Sequence, residues 1–156
     1  MSIAKKLAEH LAKCQVSYDL IQHPRTYSST RTAEAAHVTG DSLAKTVVLH
    51  DERGHLLAIV PSTHRVEIEA LQRLLDRRLN LATEDEITTL FSDCALGAVP
   101  PVGAAYGLEV VLDDSLASES EICFEAGDHQ NLVHMSGKDF AGLMTDARRG
   151  QFSHHV

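Results

Sequence analysis

The sequence predicts a single domain of the α/β class, of the α+β type, in which helices flank a mixed and mostly antiparallel β-sheet. The chain has 156 residues, 44% of them hydrophobic, and this length and composition suit one core rather than two. Segments that alternate apolar and polar residues predict strands, and segments with apolar residues three and four positions apart predict helices. The two kinds are interleaved without the regular spacing of a doubly wound parallel sheet.

The N-terminal segment predicts a helix and then a strand. Apolar residues recur at helical spacing over residues 2–14, and Ser2 is suited to be the N-cap. Strict alternation replaces this pattern over residues 16–21, and the strand that it predicts ends at the His23-Pro24 turn. The side chains on one face of this strand are Val16, Tyr18 and Leu20.

A short helix and a hairpin are predicted next. Residues 32–36 have helical character, and Gly40 marks the stop. Two apolar runs, residues 45–50 and 56–60, flank the turn at residues 51–54, which predicts a β-hairpin. Because both runs are apolar on both faces, we expect these strands at the centre of the sheet.

The second half of the chain predicts further helices and strands. Apolar spacing predicts a helix near residues 68–75, and Thr83-x-x-Glu86 is a capping box that begins another. The remaining predicted elements are short strands at 79–81, 106–113, 121–125 and 132–135 and a last helix over 140–144. Residues 1–147 thus form the predicted domain, and residues 148–156 are expected to be a short, frayed C-terminal tail.

Charge and hydropathy exclude several classes of protein. A formal net charge of −8 argues against a module that coats long stretches of nucleic acid, although a local contact to one phosphate stays open. No apolar run approaches the roughly 18–20 residues of a membrane span, and the first residues are too polar for a signal peptide. Three cysteines without C-x-x-C spacing favour a reducing compartment. We therefore expect a cytoplasmic protein that does not associate with membranes.

The common catalytic signatures are missing from the sequence. It contains no G-x-S-x-G, H-E-x-x-H, Walker or G-x-G-x-x-G motif. Ten histidines raise the question of a metal site, but the pairs His50/His55 and His129/His134 lie five residues apart, which suits neither a helix face nor one side of a strand. Cys14, on the apolar face of the first helix, and Cys123, within a strand, are interpreted as small hydrophobic residues. We expect no metal and no cofactor.

Two features stand out from this background. Lys45 shares a strand face with Val47 and Leu49, so its ammonium group must either reach water or meet an anion. The segment from Gly97 to Gly103 carries two prolines between two glycines, which makes it rigid and allows close approach of a ligand to its backbone. Such a loop either holds amides ready to stabilise an oxyanion or is a stiff connection before a strand.

Together these features resemble the YbaK/ProX family, the free-standing relatives of the editing insertion of bacterial prolyl-tRNA synthetases. The order and spacing of short motifs carry the resemblance over nearly the whole chain, and Lys45 followed by G-x-x-x-P is the strongest pair. The matching segments are Tyr18 with Ile21 and His23-Pro24, residues 32–36, residues 44–49, Gly97–Pro101, residues 106–108, Asp113 and residues 124–127.

The resemblance implies a YbaK-like fold and an aminoacyl-tRNA deacylase that hydrolyses the ester of tRNA mischarged with a small amino acid. It implies catalytic contacts by Lys45, Gly97 and Pro101, with Lys45 at the sugar-phosphate end of the tRNA. The substrate-binding residues that it implies are Tyr18, Thr46, Ala98, Val99, Pro100, Asp113, Gly127, Asp128 and His129. For His129, a solvated loop histidine is the alternative. Thr46 faces away from Lys45 in a regular strand, so we expect its backbone rather than its hydroxyl to touch the substrate.

The resemblance also implies how the reaction proceeds and with which partners. The vicinal hydroxyl of the ribose activates an aminoacyl ester, so positioning and oxyanion stabilisation suffice without a protein nucleophile. The partner is the acceptor end of an aminoacylated tRNA, drawn in by Lys45, Arg25, Arg31 or Arg65. An aminoacyl-tRNA synthetase is a second candidate partner, and the oligomeric state is not predicted. Two other readings stay open: a non-catalytic module that binds an amino acid, a nucleotide or a tRNA end, and a metal-binding domain.

Overall fold

A mixed β-sheet runs through the domain in the computed structural model, which describes residues 3–24 and 29–156, with backbone only for residues 29–31. The strands are β1 (Asp19–Gln22), β2 (Leu43–Asp51), β3 (Gly54–Pro61), β4 (His64–Val66), β5 (Asn80–Leu81), β6 (Glu109–Asp113), β7 (Glu121–Glu125), β8 (Asn131–Ser136), β9 (Arg148–Gly150) and β10 (Ser153–His155). The helices are α1 (Lys5–Lys13), α2 (Ser29–Ala36), α3 (Ile68–Leu75), α4 (Glu84–Leu90) and α5 (Gly137–Leu143).

The strand order of the main sheet is β1-β8-β7-β2-β3-β6-β9. The pairs β1–β8, β7–β8 and β2–β3 are antiparallel, whereas β2–β7, β3–β6 and β6–β9 are parallel. The small strand β5 adds to β2, and β4 and β10 form a separate antiparallel pair. The predicted mixed sheet flanked by helices is confirmed.

The hairpin of β2 and β3 is the centre of this sheet, as its apolar sequence predicts. The two strands pair from Ala44 with Pro61 to Asp51 with Gly54. Side chains from successive positions of β3 alternate between two core clusters, one on each face of the sheet, and all of Leu56 to Val60 are fully buried. A strand that is buried on both faces needs apolar residues at every position, which is the pattern in the sequence.

The two faces of the sheet are covered by different elements. Side chains of α1 and α5 pack on one face; this larger cluster includes Leu7, Leu11, Ile59, Phe124 and Phe140. On the other face, α3 and Phe152 cover one half, in a cluster with Leu49, Val60, Leu71 and Leu75. Residues of α2 cover the other half, where Ala33 packs with Leu43, Cys123 and Leu132.

One side of β2 is paired only at its two ends. β7 pairs with β2 at Leu43 and Ala44, and β5 pairs with it at Leu49 and His50. Among the described strands, none pairs on this side with residues 45–47. We call this opening, which is flanked by the end of β7 and the start of β5, the slot.

The prediction of a frayed tail at residues 148–156 is wrong. β9 pairs with β6 and β10 pairs with β4, so both halves of this segment join sheets. Phe152 between them is 0% exposed, and its backbone N–H donates to Asp113 while its carbonyl accepts from Glu67. Two strands of three residues around a single phenylalanine leave too little alternation for a sequence pattern to reveal.

The N-terminal predictions also need correction. The first helix begins at Lys5 with Ala4 at its N-cap position, and Ser2 lies outside the described residues. Leu20 is 44% exposed, whereas Ile21 packs against the cluster below α2, so the core-facing side of β1 is not the face that Leu20 shares with Val16 and Tyr18. Cys14 is exposed at the end of α1 and is not on its apolar face.

None of the helices that the structure describes is both long enough and apolar enough to cross a membrane.

Candidate functional site at the slot

Lys45 lies at the start of the slot, beside the end of β7. The parallel register pairs Leu43 with Cys123 and Ala44 with Phe124, so the next position on β7 beside Lys45 is Glu125, where the strand ends. The ammonium Nζ of Lys45 donates to the carbonyl oxygen of His64 at 2.8 Å. Burial, assisted by the positive charge of Arg65, lowers the pKa of Lys45. A half-buried ammonium with two further N–H donors is suited to an incoming anion or carbonyl.

Thr46 directs its backbone into the slot. Val48 accepts a hydrogen bond from Ala82 on this side of β2, and alternation places the N–H and carbonyl of Thr46 on the same side. Its side chain lies on the face opposite to Lys45, as expected, and its Oγ1 is buried with no hydrogen-bond partner among the described residues. The hydroxyl therefore has the capacity to bind a ligand, whereas the sequence predicted a contact through the backbone of Thr46 alone.

The loop from Gly97 to Gly103 is fixed in place by its own apolar residues. Ala98 and Val102 are buried in the structure, as are both prolines. Within the described residues, the amides of Gly97 and Val99 donate to no protein acceptor, whereas the amide of Ala98 donates to Ala95. The loop thus presents two backbone donors from a rigid frame.

The loop between β7 and β8 meets this loop at His129. The imidazole Nε2 of His129 is 2.5 Å from the carbonyl oxygen of Leu96, and a carbonyl only accepts, so Nε2 carries the proton of this hydrogen bond. A Cβ atom built on Gly97 would lie 3.1 Å from Cε1 of His129, and Gly97 has a φ of +85°. Nδ1 of His129 is buried and has no partner in the described part of the chain. The structure therefore brings Gly97 and His129 together.

Backbone hydrogen bonds hold the two loops to each other and to α1. Ala95 donates to the carbonyl of Gly127 at 2.7 Å, and Ala4 donates to the carbonyl of Ala126 at 2.8 Å. The carboxylate of Asp128 accepts from the backbone N–H groups of residues 130 and 131 and from the side-chain amide of Asn131. Asp128 thus stabilises the turn that carries His129.

The family model of the aminoacyl-tRNA editing domain matches residues 23–143. The chain belongs to this family. The match spans the slot and both loops, and it confirms the predicted YbaK/ProX relationship and the predicted class of enzyme, an aminoacyl-tRNA deacylase.

Individual relatives of this editing domain support the assignment. The prolyl-tRNA editing protein ProX of Acetoanaerobium sticklandii is 24% identical over 151 residues, which cover 92% of each chain. A crystal structure of a candidate trans-editing enzyme for prolyl-tRNA synthetase has a TM-score of 0.83 at 24% identity, over 97% of this chain and 96% of that one. A scaffold protein from a computational epitope-grafting study has a TM-score of 0.84 at 20% identity, over 98% and 97% of the two chains. These structural likenesses show the fold.

A side-chain cluster closes the base of the Gly97 loop in this editing domain. The hydroxyl of Tyr106 donates to Oδ1 of Asp93 at 2.9 Å, and the backbone of Lys6 donates to Oδ2. Sγ of Cys94 lies 3.4 Å from both Tyr106 Oη and Asp93 Oδ1. Burial raises the pKa of Cys94 to about 12, and burial raises that of Cys123 to about 11. Neither thiol is a nucleophilic thiolate near neutral pH.

Two predicted substrate-binding residues lie apart from these loops. Tyr18 precedes β1 at the end where Asp19 pairs with His134, whereas the loop of His129 lies at the other end of the sheet, next to Gln22. Asp113 is 2% exposed, and its oxygens accept from Ser115 and from the backbone of Phe152. Its carboxylate ties the C-terminal segment to β6, so we leave Asp113 and Tyr18 out of the proposed site.

The positively charged residues expected around the site are only partly described. Arg65 is exposed on β4, next to the carbonyl that holds Lys45. Arg25 lies outside the described residues, as does the side chain of Arg31.

Two buried polar residues at the end of β7, Glu125 and His23, are not among the site residues predicted from the sequence. Glu125 belongs to a predicted strand and to a segment that matches the family, and His23 belongs to a predicted turn and to another such segment, but neither was predicted to have a role of its own. A glutamate that continues the inward-facing positions of an apolar strand was the available signal, because buried carboxylates are rare without a partner.

Proposed function

We propose that this editing domain acts in trans on tRNA mischarged with a small amino acid and hydrolyses the aminoacyl ester by positioning and oxyanion stabilisation. The observation that carries the proposal is the meeting of the Gly97 loop and His129 at the end of β7, beside the slot that begins at Lys45. Rigid backbone donors next to a cationic side chain suit the terminal ester of a nucleic acid.

In this mechanism, the sugar-phosphate end of the acceptor strand lies against Lys45. Its ammonium is already oriented by the carbonyl of His64 and keeps two N–H donors for a ligand. The backbone of Thr46 supplies further polar groups along the slot. The formal charge of the whole protein is −8, so attraction of the tRNA relies on these local groups rather than on a broad basic surface.

The carbonyl of the ester is placed against the amides of Gly97 and Val99. Attack by a water molecule or by the vicinal ribose hydroxyl develops negative charge on the carbonyl oxygen, and these amides stabilise it at little reorganisation cost. Pro100 and Pro101 remove two N–H groups and fix the backbone, which keeps the donors aimed. Ala98 and Val99 border the acyl group, and the Gly127–His129 loop closes the pocket.

The mechanism needs no cysteine. Cys94 is partly buried and Cys123 is buried, and both thiols have raised pKa values. Cys14 lies at the far end of α1, ten residues from Ala4 and therefore about 15 Å along the helix from the loops. The aminoacyl-tRNA synthetase that produces the mischarged tRNA is the proposed protein partner.

The test is a panel of tRNAs carrying alanine, cysteine, serine or threonine, together with correctly charged tRNAs, measured as rates above spontaneous hydrolysis. We expect at least one mischarged species to be hydrolysed and the correct ones to be spared. Replacement of all three cysteines by serine or alanine, with chelator present, should leave a substantial rate. A 3′-linked ester on a terminal 2′-deoxyribose should react much more slowly.

Two results would contradict the proposal. Loss of hydrolysis on cysteine replacement or chelation, with the fold intact, would overturn the mechanism. Binding of aminoacyl-adenosine analogues near Lys45 without hydrolysis of any tRNA in the panel would identify a binding module instead.

A further inference from the structure

Two buried side chains at the end of β7 have hydrogen-bonding atoms without a partner among the described residues. These atoms are Nε2 of His23 and Oε1 of Glu125, and they lie 3.9 Å apart. The His23 side chain is 0% exposed and that of Glu125 is 10% exposed. An unpaired polar atom in such a place costs free energy, so a native structure that keeps two of them side by side calls for a reason.

The hydrogen bonds of the two side chains show which kind of group would complete them. Nδ1 of His23 lies 2.7 Å from the carbonyl oxygen of Pro24, which only accepts, so Nδ1 carries the proton. In the neutral imidazole, Nε2 is then an acceptor. Oε2 of Glu125 accepts from the hydroxyl of Thr32 at 3.2 Å, and Oε1 has acceptor capacity left. Two free acceptors therefore face the same small space.

The group that fits between them is a donor with at least two hydrogens. A nitrogen about 2.8–3.0 Å from each acceptor forms two ordinary hydrogen bonds across a 3.9 Å separation. An ammonium group provides these hydrogens, and its positive charge can pair with the carboxylate of Glu125. Burial, opposed by the Thr32 hydrogen bond and assisted by the negative charge of Asp128, raises the pKa of Glu125 to about 7. A bound cation would favour its ionised form.

The pair also lies next to Lys45, where the slot begins. Glu125 is the next position on β7 beside Lys45, and its side chain shares the sheet face of Leu43 and Lys45. Two residues further on, Gly127 begins the loop that carries His129. A cavity of about 380 Å³ reaches His23 and is lined by Gln22, His23, Pro24, Gln130 and Asn131.

We propose that His23 and Glu125 bind the free α-ammonium group of the aminoacyl ester. This inference rests on the proposed function and adds a specificity to it: the enzyme selects esters of free amino acids over esters whose nitrogen is acylated, as in peptidyl-tRNA. An N-acyl nitrogen has one hydrogen and no charge, and it would leave a buried acceptor unpaired. Sites built around buried polar groups reject such analogues strongly.

The experiment uses the mischarged tRNA that the wild-type protein hydrolyses fastest in the panel. Two analogues of it are prepared: the N-acetyl derivative, and the 2-hydroxyacyl ester with the same side chain, which adds no bulk. Each enzymatic rate is divided by the spontaneous rate of that ester, because the ammonium group itself activates the bond. We expect both analogues to lose at least roughly tenfold in this ratio, as for a charge-assisted hydrogen bond.

Two variants then test whether the preference for a free ammonium group depends on Glu125. Glu125→Gln should lower the ratio for the free aminoacyl ester at least roughly tenfold and change that for the two analogues by less than about twofold. The matched control is Glu121→Gln on the same strand, where an exposed carboxylate binds His134 at 2.7 Å. It should leave all three ratios unchanged.

The outcomes separate this inference from the proposed function. If the wild-type protein hydrolyses the analogues as efficiently as the aminoacyl ester, the ammonium site is wrong and the deacylase assignment stands. If Glu125→Gln lowers all three ratios equally, Glu125 acts on the fold or the ester, and the inference is likewise overturned. If no ester in the panel is hydrolysed, both the ammonium site and the proposed function are wrong. Should the variant fail to fold, the wild-type comparison alone decides.

Discussion

Lys45 combines a half-buried position with an unusual set of partners. Its ammonium donates to a backbone carbonyl, and within the described residues no carboxylate lies in ion-pair distance of it. A lysine kept for stability would normally extend to water or pair with an acid. Lys45 therefore has no counter-ion among the described residues, as the proposed contact with the tRNA requires.

We expect Lys45→Ala to reduce deacylation sharply and to leave folding nearly intact, because the side chain contributes charge and orientation rather than core packing. Single-turnover hydrolysis and denaturant unfolding would be compared with Lys138→Ala, which removes an exposed lysine. A loss of ~2–5 kcal/mol of stability, as for a core truncation, would mean that Lys45 is structural. Normal turnover would remove it from the site.

Gly97 offers a test with a matched control. Gly97→Ala places a methyl group 3.1 Å from Cε1 of His129 at a φ of +85°, whereas Gly107→Ala meets a similar φ of +67° with no atom within 4 Å. Both variants should lose roughly 1–2 kcal/mol of stability from the left-handed backbone. Only Gly97→Ala should also lose activity, by up to ~100-fold, since a displaced loop misplaces the reacting groups.

The readouts are hydrolysis rates and unfolding free energies of the two glycine variants. Equal activity in both would show that the contact between Gly97 and His129 has no bearing on the reaction.

The C-terminal segment, residues 148–156, joins both sheets and one core cluster. It supplies β9 to the edge of the main sheet and β10 as partner of β4, and Phe152 completes the cluster below α3. His64, whose carbonyl orients Lys45, is also held by β10 through its pairing with His155 and through a 2.9 Å contact to Ser153 Oγ. The segment therefore stabilises the position of His64, whose carbonyl contacts Lys45.

Truncation of Phe152 should expose this role. Phe152→Ala is expected to lower the free energy of unfolding by about 3–5 kcal/mol, as for other buried phenylalanines. Val156→Ala, at a side chain that is 67% exposed, should change it by less than ~0.5 kcal/mol. Urea unfolding of both variants measures these changes in free energy. Nearly equal free energies of unfolding would show that the packing of Phe152 contributes little to the stability of the fold.

The reliability of the sequence patterns at this scale depended on length and apolar content. The β2–β3 hairpin was predictable because its strands are nine and eight residues long and none of these residues is exposed. The capping box of Thr83 and Glu86 was predictable because its hydrogen bonds are local. The face of β1 was not, because this short edge strand has one partner, β8, and only Ile21 is turned to the core.

For the whole molecule, Glu125 predicts a pH dependence of stability. Its pKa is raised from 4.5 to about 7 in the folded protein, so between these values the native state keeps a proton that the unfolded chain has lost. Its contribution to the free energy of unfolding must therefore fall as pH rises through this range. We expect wild type to lose on the order of 2–3 kcal/mol relative to Glu125→Gln between pH 4.5 and pH 8.

Denaturant unfolding across this pH range measures the difference, with Glu121→Gln as the control for loss of an exposed carboxylate. Parallel stability curves for wild type and Glu125→Gln would contradict the raised pKa.

Residues of the proposed site could be named from the sequence, but their arrangement could not. Lys45 and the Gly97 loop stood out because charge on an apolar face and paired prolines are visible in the chain itself. The contact of Gly97 with His129 joins residues 32 positions apart, and the position of Glu125 beside Lys45 depends on a parallel register across 80 residues. Tertiary pairings of this kind leave no local periodicity to find.

The slot has a consequence for self-association. An unpaired stretch of strand is ordinarily a template on which another polypeptide can add, and long exposed edges promote aggregation. Here the unpaired stretch is residues 45–47, enclosed between β7 and β5, and an incoming strand of the usual 5–6 residues or so would collide with both. The slot is thus closed to other chains, and the risk of edge pairing falls on the outer strands, of which β9 is three residues long and carries Arg148 and Arg149.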